Sequence, residues 1–152
     1  MFSYRKEFVM DANQVALVQK SFEKAAALGD KVADIFYDEL FAIDPALRAM
    51  FKGDMREQKK KLLATLALVV RSLHTPEKII GAAQQLAVKH LDYGVEPEHY
   101  TLVGNALLRT LKKGLGEAYT PELHEAWVAA FKTLSGVMKE AAYGRSSVKG
   151  AA

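Results

Sequence analysis

The positions of the four prolines constrain how this chain can fold more than any other feature of the sequence. Each follows a residue that can cap a helix, in the pairs Asp44-Pro45, Thr75-Pro76, Thr120-Pro121 and, less favourably, Glu96-Pro97. Proline suits the first helical position because the N–H that it lacks would be unsatisfied there anyway. The segments that follow repeat apolar residues at helical spacing, without a period-two strand or an Asn-Gly hairpin. The sequence therefore predicts an all-α fold.

The helical periodicity also gives approximate helix bounds. We predict helices from Asp11, from Asp30, from Pro45 to Phe51, from Asp54 to about His74, from Pro76 to Gly94, from Pro97 to about Leu115 and from Pro121 to about Tyr143. A chain of 152 residues is one domain by length, which we place at residues 1–143. The small, polar residues 144–152 are predicted to be a disordered tail.

Charge and composition exclude several classes of protein. The net charge is +3 and the basic residues are dispersed, so nucleic acid is not an expected partner. No apolar run approaches the ~20 residues of a membrane helix, and the N-terminus lacks a signal-peptide pattern. The chain has no cysteine, which excludes disulfides and thiolate metal sites. We therefore expect a cytoplasmic protein, either a monomer or a weak homo-oligomer.

Three polar side chains lie on predicted inner, apolar helix faces, namely His90, Tyr37 and Gln58. An unpaired polar group costs about 1–3 kcal/mol when it is buried, so each needs a partner. An inward histidine takes either a hydrogen bond or a metal. His90 bonded to a carbonyl, Tyr37 bonded to a neighbouring helix and a solvated Gln58 are the plain structural alternatives.

Most other site chemistries are absent from the sequence. We find no His-Glu-x-x-His zinc motif, acidic calcium loop, glycine-rich phosphate loop or Gly-x-Ser-x-Gly nucleophile motif. The remaining histidines, His74, His99 and His124, stand near predicted helix ends beside charged residues, where exposed or capping roles are expected. Lys59 and Lys60 are predicted to point to solvent.

One cofactor accounts for all three inward polar residues. A flat, apolar group with a central metal would lie between the helices that carry Gln58 and His90. His90 would bind the metal from one side, and Tyr37 and Gln58 would offer hydrogen-bond donors on the other. Haem has this form, because its iron takes a proximal histidine and leaves the opposite face open to a ligand.

The chain also resembles the globin family, from about Asp11 to Met138. The shared landmarks are Asp44-Pro45 followed by Phe51, then Gln58, Lys89-His90, Tyr93-Gly94-Val95, His99-Tyr100-Thr101-Leu102-Val103-Gly104 and Trp127 in the last helix. The Lys-His and His-Tyr-x-x-Val-Gly spacings are similar to those of bacterial single-domain globins and of the globin half of flavohaemoglobins. The resemblance implies a globin fold around haem b, iron protoporphyrin IX.

Carried over residue by residue, the resemblance implies a site. His90 is the axial iron ligand, Phe51 packs on the porphyrin, and Tyr37 and Gln58 contact the bound gas. The other implied haem contacts are Leu62 in the same pocket, Lys61 and Lys89 at the propionates, Tyr100 near His90, and the apolar Val95, Val103 and Leu107. Trp127 and Phe131 are interpreted as helix-packing residues.

The implied function is reversible binding of dioxygen and other diatomic gases such as nitric oxide and carbon monoxide. Tyr37 and Gln58, acting as two donors, predict high oxygen affinity. One alternative is a nitric oxide dioxygenase that uses an external reductase, and another is a haem-based gas sensor. The flavohaemoglobin pattern has a proximal glutamate where this chain has Ala142, with Glu140 on a different face. That departure argues against strongly oxidative chemistry.

Overall fold

The computed structural model describes residues 10–75, 78, 80, 81, 83–85 and 97–139, and its described residues form helices without a strand. The long helices are α1 Ala12–Ala26, α2 Asp30–Ile43, α3 Met55–Arg71, α4 Pro97–Leu115 and α5 Pro121–Lys139, and 3₁₀ helices cover Pro45–Met50 and Gly116–Ala118. The all-α prediction is confirmed. The predicted tail and the predicted end of the last helix near Tyr143 lie outside the described residues.

Side-chain caps start these helices where the sequence predicted them. The capping oxygens accept from backbone N–H groups in the pairs Asp44 and Ala46 at 3.1 Å, Asp54 and Arg56 at 2.9 Å, and Thr120 and Leu123 at 3.2 Å. Each bond satisfies one of the N–H groups that a helix leaves without an internal partner. The capping residues thus fix where each chain segment turns into its helix.

Two helix boundaries, the one between α1 and α2 and the end of α3, are defined more closely by the structure than by the sequence. Gly29 has a positive φ of 63°, a conformation that residues with a Cβ rarely adopt, and it separates α1 from α2. α3 ends at Arg71, a little before the predicted end near His74. The reason is that Thr75 N–H donates to Ser72 O at 2.9 Å and closes a turn there.

The core forms because α2 packs mainly against α4, and α1 against α5. Buried apolar side chains from these helices include Val18, Phe22, Phe36, Leu40, Leu107, Leu111 and Trp127. Trp127 Nε1–H donates to Ser21 Oγ at 2.9 Å, and Ser21 Oγ–H donates to Val18 O at 3.0 Å. Trp127 packs helices as predicted, and this hydrogen-bonded network adds a polar tie between α1 and α5.

A nearly buried carboxylate ties α2 to α4. The Glu39 side chain is 13% exposed and pairs with two cations of α4. Its Oε2 lies 2.6 Å from Lys113 Nζ, and its Oε1 lies 3.8 Å from Arg109 Nη1. Since Glu39 follows Tyr37 closely along α2, these ion pairs hold the segment that carries Tyr37 against α4.

As for membranes, none of the described helices combines the length and apolarity that crossing a bilayer requires.

Candidate functional site

α2 places Tyr37 in the interior among other aromatic rings. The tyrosine is 3% exposed, and its ring meets the Phe36 ring edge-on at a centroid distance of 5.0 Å. The Phe41 ring lies one helical turn further on, at 5.9 Å. Residues one turn apart share a face of a helix, so the Tyr37 and Phe41 rings point the same way. The phenol is therefore held in place by packing on more than one side.

The 3₁₀ helix that follows brings Phe51 against the same rings. Phe51 N–H donates to Arg48 O at 3.1 Å, which closes the last turn. The Phe51 ring then lies edge-on to Tyr37 at 5.4 Å and to Phe41 at 5.6 Å. Phe36, Tyr37, Phe41 and Phe51 make up the aromatic cluster of the site. Edge-to-face pairs of this kind contribute about 0.5–1.5 kcal/mol beyond burial, so the cluster is a rigid wall.

α3 brings Gln58 directly onto Tyr37. Gln58 Nε2–H donates to Tyr37 Oη at 3.1 Å. A phenol hydroxyl carries one proton and can also accept, so this bond leaves the Tyr37 proton unused. No acceptor for that proton occurs among the described residues. The pair therefore presents an O–H donor whose orientation is set by Gln58.

Burial decides the protonation state of this donor. Desolvation raises the pKa of the Tyr37 phenol above its usual 10.0, and the hydrogen bond from Gln58 offsets part of that rise. Burial disfavours the charged phenolate, so the group keeps its proton near neutral pH. Tyr37 is thus a neutral hydrogen-bond donor in this structure.

The other residues that the sequence assigned to the site fall into three groups. Leu62 and Val103 are partly buried against the core, and Leu107 and Tyr100 are buried. Lys61 is exposed on α3. His90, Lys89 and Val95 lie outside the described residues, as do Glu140 and Ala142.

The prediction for Lys59 was wrong. Its side chain is only 29% exposed, and its Nζ lies 2.8 Å from Asp34 Oδ1. The sequence pattern of α3 alone could not show this, because the partner stands on α2. Asp34 precedes Tyr37 by one helical turn and Lys59 follows Gln58 directly, so pairing the two helices in register would have revealed it. Lys60 is exposed, as predicted.

Two of the remaining described histidines, His74 and His124, lie close to side chains other than Tyr37 and Gln58. His124 Nδ1 lies 2.6 Å from Tyr119 Oη, and His74 Nδ1 lies 3.4 Å from Gln19 Nε2. His74 and His124 are exposed, as predicted. The described residues contain no group of three or more His, Cys, Asp or Glu side chains that could hold a metal ion.

Two surface cavities border α4 and α5. One, of about 350 Å³, is lined by Leu108, Arg109, Lys112, Tyr119, Thr120, Pro121 and His124. The other, of about 310 Å³, is lined by Thr101, Gly104, Asn105, Leu108, Val128, Phe131, Lys132, Ser135 and Lys139. Neither includes a residue that the sequence assigned to the haem. The candidate site therefore rests on the buried Tyr37–Gln58 contact and on neither of these cavities.

The described part of the site fits a haem on the side of Tyr37. Phe51 lies against Tyr37, Leu62 and Val103 pack against the same core, and the described residues offer no acceptor for the Tyr37 proton. Haem pockets combine these features, because the protein tunes the open face of the iron through donors and access. The donor set therefore suits a small neutral ligand that accepts a hydrogen bond.

Fold and site together define an all-α protein with one buried phenol–amide pair. The sequence profile of the globin family matches residues 34–138, and the chain belongs to that family. The matched range includes Tyr37, Gln58 and every described residue that the sequence assigned to the haem. Globins are haem proteins.

Relatives with curated descriptions are longer proteins. The chain is 31% identical over 126 residues to a flavohemoprotein of Bordetella pertussis, covering 81% of this chain and 31% of that one. It is 31% identical over 133 residues to a flavohemoprotein of Deinococcus radiodurans, covering 86% and 33%. The chain thus spans about a third of the length of the curated relatives that it matches.

Solved structures give the same fold. A bacterial globin from Campylobacter jejuni superposes with a TM-score of 0.77 at 21% identity, covering 90% of this chain and 99% of that one. An engineered carbene transferase, derived from a candidate nitric oxide dioxygenase of Rhodothermus marinus, superposes with a TM-score of 0.81 at 25% identity. That match covers 93% of this chain and 99% of the other.

Proposed function

We propose that the protein holds haem b and reversibly binds dioxygen, with nitric oxide and carbon monoxide as further ligands. The observation that carries the proposal is the buried Tyr37 hydroxyl, which accepts from Gln58 and keeps its own proton to donate. When bound, haem supplies an iron atom that takes a diatomic gas as a ligand. The protein's residues then decide how tightly the gas is held.

His90 is proposed to bind the iron. Phe51 would pack against the haem, and Lys61 and Lys89 would pair with its carboxylates. The proposed remaining contacts are Leu62, Val95, Tyr100, Val103 and Leu107. Its exposed position suits Lys61 to this role, because a lysine can lay its apolar stem along a surface while its charge stays in water.

Tyr37 and Gln58 act as a chain of hydrogen bonds, in which Gln58 bonds to Tyr37 and Tyr37 bonds to the ligand. Gln58 donates to the Tyr37 oxygen, which leaves the phenol proton free to be donated to dioxygen. A hydrogen bond in a low-dielectric pocket is electrostatically stronger than one in water. At about 1–3 kcal/mol, the phenol bond slows dioxygen release roughly five- to 150-fold, which gives high affinity.

Haem binding tests the proposal directly. Haemin added to the purified full-length chain should produce a Soret band with one haem per chain, and His90→Ala should weaken binding strongly. His74→Ala is the matched control, because His74 is exposed and contacts only Gln19 among the described partners. Unchanged haem affinity in the His90→Ala variant would overturn the assignment of the axial ligand.

A nitric oxide dioxygenase is the second candidate, because the curated relatives are flavohemoproteins and one structural neighbour derives from a candidate dioxygenase. In that reaction nitric oxide, dioxygen and one electron combine to give nitrate. The electron would come from a reductase, supplied outside the described globin residues. Nitrate formation at a steady rate with a flavin reductase and NADH would support this activity. A single turnover followed by arrest would leave reversible binding as the function.

A further inference from the structure

The first turns of α3 are held against α2 by two side-chain bonds that follow one another along both helices. Gln58 Nε2 donates to Tyr37 Oη at 3.1 Å, and Lys59 Nζ lies 2.8 Å from Asp34 Oδ1. Asp34 and Tyr37 are one turn apart on the same side of α2. The two bonds therefore form adjacent ties between the helices, one buried at Tyr37 and one partly exposed at Lys59 and Asp34.

Other polar side chains in this part of α3 make no bond to α2. Arg56 pairs with Asp54 inside its own turn at 3.9 Å. Glu57, Lys60 and Lys61 are exposed, and no hydrogen bond or ion pair to α2 is found for them within the described part of the chain. Met55 and Leu62 add apolar contact with the core. The position of Gln58 thus depends on one hydrogen bond, one ion pair and apolar packing at either side.

We propose that the Lys59–Asp34 ion pair is a positioning pair that keeps Gln58 on Tyr37 and so slows the release of the gas ligand. This inference rests on the proposed function. The Lys59 side chain is 29% exposed and that of Asp34 is 53% exposed, so the pair is partly shielded from water. Because it still borders solvent, its strength falls as salt is added.

The Lys59–Asp34 pair would affect ligand release through the orientation of the Tyr37 hydroxyl proton. While Gln58 donates to Tyr37 Oη, the phenol proton is not used in that bond and stays available to a ligand. When the first turns of α3 move away, the hydroxyl is free to rotate and the ligand loses its donor. Lys59 touches neither the haem nor the gas in this scheme. It acts only by holding α3 in place.

The test compares Lys59→Met with Lys60→Met, which removes the same charge from the next, exposed residue. Lys59→Met should speed dioxygen dissociation roughly two- to five-fold, and Lys60→Met should leave it unchanged. High salt should speed dissociation from the parent protein and from Lys60→Met, but not from Lys59→Met. A purely structural role for Lys59 would not produce this difference in salt dependence.

Two further variants test charge against shape. Lys59→Arg should keep the slow dissociation, because it keeps the cation. The double exchange of Asp34→Lys with Lys59→Asp should restore it in part, whereas each single exchange should not. Failure of both variants to restore slow dissociation would contradict an electrostatic role.

A measurement without the gas separates this inference from the proposed function. Hydrogen exchange of the backbone amides in residues 55–61 should be faster in Lys59→Met than in Lys60→Met, with or without haem added to the full-length chain. Equal exchange in the two variants would overturn the positioning pair. If the chain takes up no haem, the proposed function fails, while the exchange result still decides this inference.

Discussion

Trp127 and Tyr37 are buried polar ring side chains in two regions of the molecule, and they differ in what happens to their protons. Between α1 and α5, the Trp127 N–H goes to Ser21 and the Ser21 hydroxyl proton goes on to Val18 O, so every donor is used. Between α2 and α3, Tyr37 accepts from Gln58 and its own proton has no acceptor in the described part of the chain. The first network is closed and the second is open.

The difference separates structure from function. Buried donors are nearly always paired, because leaving one unpaired costs about 1–3 kcal/mol. In a closed network every donor is paired within the protein. In an open network one donor is paired only when a ligand binds, so pairing that donor contributes to the free energy of ligand binding. Changes to the closed network should therefore alter stability, and changes to the open one should alter ligand release.

The largest expected effect lies in the closed network. Trp127→Ala should lower the free energy of unfolding by about 3–5 kcal/mol, because it empties a large buried site and leaves Ser21 without its donor. Urea denaturation measures the loss. Trp127→Phe keeps most of the volume and should cost clearly less. Similar losses in the two variants would mean that the hydrogen bond outweighs the packing.

In the open network, Tyr37→Phe should speed dioxygen dissociation roughly five- to 150-fold, since the ligand loses a bond of about 1–3 kcal/mol. Stopped-flow mixing measures the rate. The free energy of unfolding should change much less than in Trp127→Ala, because the ring and its aromatic contacts remain. An unchanged dissociation rate would remove Tyr37 from the mechanism.

Gln58→Leu should have a smaller effect, roughly three- to ten-fold on dissociation, because the phenol remains and only its orientation is lost. Since the two residues act in series, the double variant with Tyr37→Phe should release dioxygen about as fast as Tyr37→Phe alone. Residues in one hydrogen-bond network are expected to show such non-additivity. Rate effects that multiply fully would instead indicate two independent donors.

The smallest expected effect is that of pH. The Tyr37 pKa is raised above 10.0 by burial, so the folded chain holds this proton more firmly than the unfolded chain. The contribution to stability is present in full below pH 10.0, and it is lost as pH rises through the folded pKa.

Burial also raises the pKa of Tyr119, so the pH effect of Tyr37 must be taken as a difference. Ultraviolet titration of the parent chain and of Tyr37→Phe isolates the Tyr37 step. That step should fall above the ordinary tyrosine range. A Tyr37 step at or below the usual value would contradict the buried, neutral donor.

Local features of the sequence predicted the helices well. Asp44, Asp54 and Thr120 cap helices through bonds to residues two or three positions away, so their roles follow from the sequence alone. The inward placement of Tyr37 also followed from the helical period. These predictions needed no knowledge of how the helices pack.

Interactions between helices were not predictable in the same way. Lys59 was expected in solvent, but its partner Asp34 stands on another helix, and only the packing of α2 on α3 brings the two together. Likewise, the sequence placed Tyr37 and Gln58 side by side facing a ligand but did not reveal that one donates to the other. The assignments of His90, Lys89 and Val95 remain predictions.

The Glu39 carboxylate has a consequence for how α2, α3 and α4 move relative to one another. It anchors α2 to α4 through two cations, whereas among the described residues one ion pair and the Gln58–Tyr37 hydrogen bond join α3 to α2. The two walls beside Tyr37 are therefore unequally braced. We expect thermal opening to be one-sided, with α3 swinging about the Lys52-Gly53-Asp54 loop while α2 and α4 stay together.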